Sequence, residues 1–235
     1  MSFQETSATS GESIALTYLN DFQARTVEAI AERIIPGERG RGGAIEAGVV
    51  YYIDRAISGF SLGLQRVYRL GLRELEGLCH REYSAPFVDL TAEQQDDIVR
   101  RFLGKETGDS GGTVYPGGLG QPAAEGKPTA ERPQGEGADL GTGDGIDLEL
   151  LRSFFAVIRE HTVEGFFCDP AYGGNRGAVG WRLIGFPGAQ WGYTAEQMKP
   201  GFDATVIPVK TLSDLRRDLK DLPENAHYYN DNEGK

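Results

Sequence analysis

Apolar residues recur at helical spacing along this chain, and each such stretch ends at a recognisable stop. Leu19, Phe22, Val27, Ile30 and Ile34 form one stripe, which predicts a first helix from about Asn20 to Ile35, halted by Pro36. Ile45, Val49, Ile53 and Ile57 predict a second helix from Ala44 to Ser58. Leu64, Tyr68, Leu72, Leu75 and Cys79 predict a third from Leu64 to His80, with its apolar face turned to the second. Thr91 and Gln94 have the spacing of a capping box, so a fourth helix starts near Ala92, buries Ile98, Phe102 and Leu103, and ends at Gly104. A fifth, Ile146 to His161, places Leu148, Leu151, Phe154, Phe155 and Ile158 on one face behind Asp147 as N-cap, with Gly165 as its stop. Leu212, Leu215, Leu219 and Leu222 mark a short last helix over Ser213 to Leu222. Gln190 to Tyr193 and Phe202 to Val209 read as extended, but Pro200 and Pro208 limit any sheet they could join. The expected fold class is all-α, a small helical bundle.

Two regions break the helical pattern. From 104 to 145 the chain is dense in Gly and Pro with almost no large apolar side chain, and burial there cannot offset the entropy of ordering. It is expected to be an insertion that is flexible or ordered by a partner, with Tyr115 and Leu119 as its anchors. The second region, His161 to Gly188, follows neither a helical nor an alternating period, yet it is rich in aromatic residues and glycines. Solvated linkers are not composed in that way. The chain therefore reads as a single domain, 1–235, with a flexible N-terminus (1–14), the insertion, an irregular aromatic and Gly-rich C-terminal loop region, and a polar tail (225–235).

In the irregular stretch, Pro170 fixes its own φ and pushes Asp169 out of the helical region, so Cys168-Asp169-Pro170 is a turn. Gly173-Gly174-Asn175 tolerates positive φ and lets the backbone double back, leaving Arg176 projecting. Such a loop presents N–H groups and a guanidinium to an anion or a partner's carboxylate, or it is a rigid turn. His161 and Glu164 share a helix end with Asp169 nearby, which admits a metal or acid/base site. The other reading is loop-fixing: His161 caps the helix, and Glu164 or Asp169 pairs with Arg176. A third is a sugar site, in which Trp181, Trp191 and Tyr193 stack on a pyranose and Asn175, Asp169 and Arg176 bond its hydroxyls.

Composition narrows these classes. A net charge of −11 over 235 residues argues against nucleic acid or an anionic membrane as partner. Cys79 and Cys168 are too few and too far apart for a disulfide framework, and no CxxC exists for zinc. No apolar run is long enough to span a bilayer. Gly37 to Gly43, GERGRGG, reads as a mobile basic turn and lacks the following strand a phosphate-binding loop would need. Met1 to Glu12 lacks the build of a signal peptide, so a cytoplasmic protein is expected, or a periplasmic or membrane-associated one if a partner directs its export.

The stretch H-T-x-E-G-F-F-x-D-P-x-Y-G-G-N-R-x-x-x-G-W-x-x-I-G-F-P-G, His161 to Gly188, resembles the signature of the gluconate 2-dehydrogenase subunit 3 family. A-I-A-E-R-I-I-P at Ala29 to Pro36, A-I-E-A-G-V-V-Y-Y-I-D at Ala44 to Asp54, and F-x-x-L-T-A-E-Q-Q-D at Phe87 to Asp96 are similar to its earlier segments. The resemblance implies a cofactor-free accessory subunit. Its expected partner is an FAD-binding catalytic large subunit of the glucose-methanol-choline type that oxidises a sugar, sugar acid or glycoside, with a cytochrome or other electron acceptor reached through it. The resemblance also implies Arg33 as a core ion-pair partner. Expected interface anchors are Phe166, Tyr172, Asn175, Arg176, Trp181 and Trp191, since aromatic and Arg residues dominate interface energies.

Overall fold

The computed structural model of the chain describes residues 15–38, 40–104 and 145–220. Across the described residues run seven α-helices: α1 (Asp21–Ile34), α2 (Val49–Ser58), α3 (Gln65–Tyr83), α4 (Ala92–Leu103), α5 (Leu148–Phe167), α6 (Val179–Leu183) and α7 (Leu212–Lys220). No strand forms among them; two isolated bridges, Glu38 with Arg41 and Gly188 with Lys210, are the extended pairings. The all-α expectation holds. Tyr115, Leu119 and Leu222 lie outside the described residues, as do 1–14, 225–235 and all of 104–145 except Gly104 and Gly145.

The bundle is organised around α5, which packs against α1, α2, α3 and α4. A helix enclosed by its neighbours needs apolar residues around most of its girth, and α5 buries Leu151, Phe154, Phe155, Val157, Ile158, Thr162 and Phe166. Fully burying each phenylalanine contributes about 1.5–3 kcal/mol, so this one helix supplies much of the core. Phe154 sits against Gly71 of α3, edge-on to Tyr68 at 5.7 Å, and Phe155 stacks on Phe102 of α4 at 5.1 Å. Sequence-local caps set the helix starts: Asn20 with Gln23, and Thr91 with Gln94, both form capping boxes, and Asp147 accepts from the Leu150 N–H.

Two helix boundaries differ from the periodicity. α5 does not stop at Gly165 but runs on to Phe167, and the Asp169-Pro170 pair ends it. Gly165 is there for packing: a Cβ would come within 2.9 Å of the Tyr52 ring. One mid-helix glycine costs about 1 kcal/mol, which the close helix contact outweighs. α2 begins at Val49 rather than Ala44, because Gly48 adopts φ +65 and residues before it form a turn. Ile45 consequently leaves the buried face and is exposed, as are Phe22 and Leu148 in the first turns of their helices.

The turn read as mobile is held at both ends. Glu32 accepts from the Gly37 N–H at 2.7 Å and the Ile45 N–H at 2.9 Å, and Ala44 N donates to Ile35 O. Arg33 reaches from α1 to Asp96 of α4 at 3.7 Å, a half-buried pair. Asp54 on α2 is 2% exposed and accepts three backbone N–H groups, from Thr17 (2.6 Å), Tyr18 (2.9 Å) and Leu19 (2.8 Å). It ties the segment before α1 to α2.

Candidate functional site

Past α5 the chain folds back over that helix's own C-terminal end. Asp169 starts the return: one carboxylate oxygen accepts from the Ala171 N–H at 2.9 Å, the other from the Leu212 N–H at 2.8 Å. Gly173 (φ +108) and Asn175 (φ +44) supply the left-handed residues, while Gly174 passes so close to α5 that a Cβ would lie 2.1 Å from the Gly165 carbonyl oxygen. Asn175 is fully buried and staples the loop, donating to Cys168 O and accepting from Gly180 N, both at 2.8 Å. The Trp181 indole donates to Phe167 O at 2.7 Å, and Phe186 packs edge-on against it.

The loop then docks on the turn before α2. Arg176 N donates to Ala47 O at 2.9 Å, its guanidinium lies 3.8 Å over the Tyr51 ring, and its side chain occupies the space where a Gly48 Cβ would stand. Glu28 of α1 is near: burial raises its carboxyl, and the Arg176 charge partly offsets that rise. One Arg176 terminal nitrogen is buried without a hydrogen-bond partner. The expected pairing of Arg176 with Glu164 or Asp169 is therefore corrected: the arginine clasps the α2 turn, while both carboxylates are engaged elsewhere.

Glu164 instead accepts from the Tyr52 hydroxyl at 2.8 Å. Burial, then this bond, pushes the Tyr52 phenol well above its ordinary value. His161 does not cap the helix end; it is 3% exposed within α5, with Nδ1 2.9 Å from the Tyr68 hydroxyl and its ring stacked on Tyr68 at 5.8 Å. Burial lowers its pKa from 6.5 to about 4, so the imidazole is neutral at pH 7. Burial also favours the protonated form of both thiols, with Cys79 pushed up to about 12 and Cys168 to about 11. Beside the Tyr52–Glu164 pair opens an apolar groove of about 570 Å³, walled by Phe60, Val163, Phe167, Cys168 and Tyr172.

The residues singled out from sequence thus separate. Phe166, Asn175 and Trp181 are interior side chains, and an anchor role for them would require the bundle to open. Tyr172 and Trp191 are exposed, at 55% and 60%, and Arg176 is half-buried. His161, Glu164 and Asp169 each serve a different partner, and among the described residues no group of three His, Cys, Asp or Glu is placed to hold a metal. The sugar constellation does not converge either, because Trp181 and Asn175 are enclosed while Trp191 faces outward. Sequence reasoning placed Tyr68 on a helical stripe without its His161 contact, and it missed Tyr51, Tyr52 and Phe60. Their only local signal was aromatic residues at positions that helix periodicity does not require.

The class this geometry defines is an all-α bundle whose long Gly- and aromatic-rich loop is spent on holding its own backbone, next to an open apolar groove. Its family can be stated outright: the family model for gluconate 2-dehydrogenase subunit 3 matches residues 21–188, and the chain belongs to that family. The match takes in both the loop and the turn on which it docks. No curated protein and no solved structure matches the chain. A family of subunits of a multi-subunit dehydrogenase implies partner subunits. No helix among the described residues is long and apolar enough to cross a membrane.

Proposed function

We propose that this chain is the non-catalytic small subunit that stabilises and helps fold an FAD-dependent large subunit of the glucose-methanol-choline type, one that oxidises a sugar, sugar acid or glycoside. The family match across the signature loop and its docking turn carries the reading. In support, Asp169 and Asn175 of the loop are engaged in hydrogen bonds within the chain, while large apolar side chains face outward at Phe60, Val163, Tyr172 and Trp191. Surfaces of that kind suit an interface better than a monomer. In this reading the flavin chemistry belongs to the partner, which passes electrons to a cytochrome or other acceptor.

Co-expression of the tagged chain with its candidate large subunit, followed by affinity capture and a visible spectrum of the eluate, tests this. A second, larger band carrying a flavin spectrum is expected. A lone, colourless chain recovered beside soluble large subunit would overturn the proposal.

A further inference from the structure

The groove beside Tyr52 is the feature the loop's own architecture does not use. Phe60, Val163 and Tyr172 are 62%, 45% and 55% exposed, and together they wall a single concavity of about 570 Å³. Scattered exposed apolar side chains are ordinary, but a contiguous concave group is not. The walls are also fixed in advance. Tyr52 is pinned through its hydroxyl to Glu164 and packs against Gly165, and Phe60 leans on the Tyr52 ring at 6.2 Å. A preformed apolar seat loses little freedom on docking.

The groove has a charge as well as a shape. Glu164 lines it, and Glu160 stands one helical turn earlier on α5. Burial, then the neighbouring Glu164 charge, raises the Glu160 carboxyl pKa. Arg55, near Tyr172, is turned onto the Ala171 carbonyl at 3.4 Å. An acidic edge on an apolar seat favours an occupant with a cation next to its apolar group. The same edge disfavours a second copy of this chain, whose net charge is −11.

Resting on the accessory-subunit reading, we infer that this groove receives a segment of the partner subunit, one that inserts an apolar side chain flanked by a lysine or arginine. The anchor fills the space between Phe60, Val163 and Tyr172, and the cation faces Glu160 and Glu164.

The test uses the co-expressed complex, with affinity for the flavin-binding large subunit measured for the wild type, Val163→Asp, Glu160→Lys and Val206→Asp. Val206 is exposed on the separate 189–220 segment. Val163→Asp is expected to weaken binding about tenfold or more. Glu160→Lys should weaken it severalfold and flatten its salt dependence, whereas Val206→Asp should match the wild type. Unchanged melting midpoints exclude misfolding, and should Val163→Asp fail to fold, Glu160→Lys carries the test. Capture by the wild type and both groove variants alike overturns the groove while leaving the accessory-subunit reading intact. A chain that is dimeric alone and is made monomeric by Val163→Asp assigns the groove to a second copy and also overturns it. A wild type that captures no flavoprotein overturns both.

Discussion

Removing the Asn175 side chain probes how the signature loop is held. In Asn175→Ala the Cys168 carbonyl loses a donor and the Gly180 N–H loses its acceptor, both from 2.8 Å bonds made by a side chain with no solvent exposure. Leaving a buried N–H unsatisfied costs about 1–3 kcal/mol. The residue also sits at φ +44, ψ +40, where Asn is tolerated and Ala pays roughly 1 kcal/mol more. The sum is about 3 kcal/mol. Urea unfolding followed by far-UV circular dichroism reads it as a lowered midpoint at constant m value. Asn175→Gly separates the parts: it relieves the backbone strain but restores neither bond, so it should fall between wild type and Asn175→Ala. A loss below about 0.5 kcal/mol in Asn175→Ala, within the range of ordinary surface changes, would refute the docked-loop account.

Three further outcomes follow from the geometry. Folded His161 titrates near 4 instead of 6.5, so between those values the unfolded chain binds the extra proton and stability falls as pH drops through that window. The loss is about 3 kcal/mol, and a pH series of melts should show it in the wild type but not in His161→Gln; parallel curves would contradict the buried neutral imidazole. Asp54→Ala strands three backbone N–H groups and should cost about 3 kcal/mol or more by thermal melting, with Asp54→Asn intermediate; a wild-type midpoint would count against Asp54 as the anchor of the N-terminal segment. Gly174→Ala places a methyl 2.1 Å from the Gly165 carbonyl oxygen, so backbone must move at a cost of about 2 kcal/mol, and an unperturbed urea midpoint would mean the loop does not cross α5 that closely.

The helical faces were legible because apolar periodicity is a local signal: Val27, Ile30, Ile53, Ile57, Leu75, Ile98 and Phe155 are all buried where their stripes place them. Caps were legible for the same reason. What escaped was set by distant partners. Gly165 carries the letter of a helix stop, and only Tyr52 packing against it shows that it permits a close approach. Glu164 and Tyr52 are 112 residues apart, and His161 and Tyr68 are 93 apart, so no spacing within the signature could pair them. The loop's left-handed turn was visible in Gly173 and Asn175, but its docking on Ala47 and Gly48 depends on a contact across the fold. Side chains read as partner anchors on chemical type alone divide by burial, which places Phe166 and Trp181 inside and Tyr172 and Trp191 outside.

The most direct measurement of the central claim is the yield of soluble, flavin-loaded large subunit made with and without this chain, with dehydrogenase activity read on a sugar panel. The account predicts that omitting the chain sharply lowers flavin-loaded enzyme and activity, and that supplying it restores both. Full flavin loading, solubility and activity of the large subunit alone would contradict it.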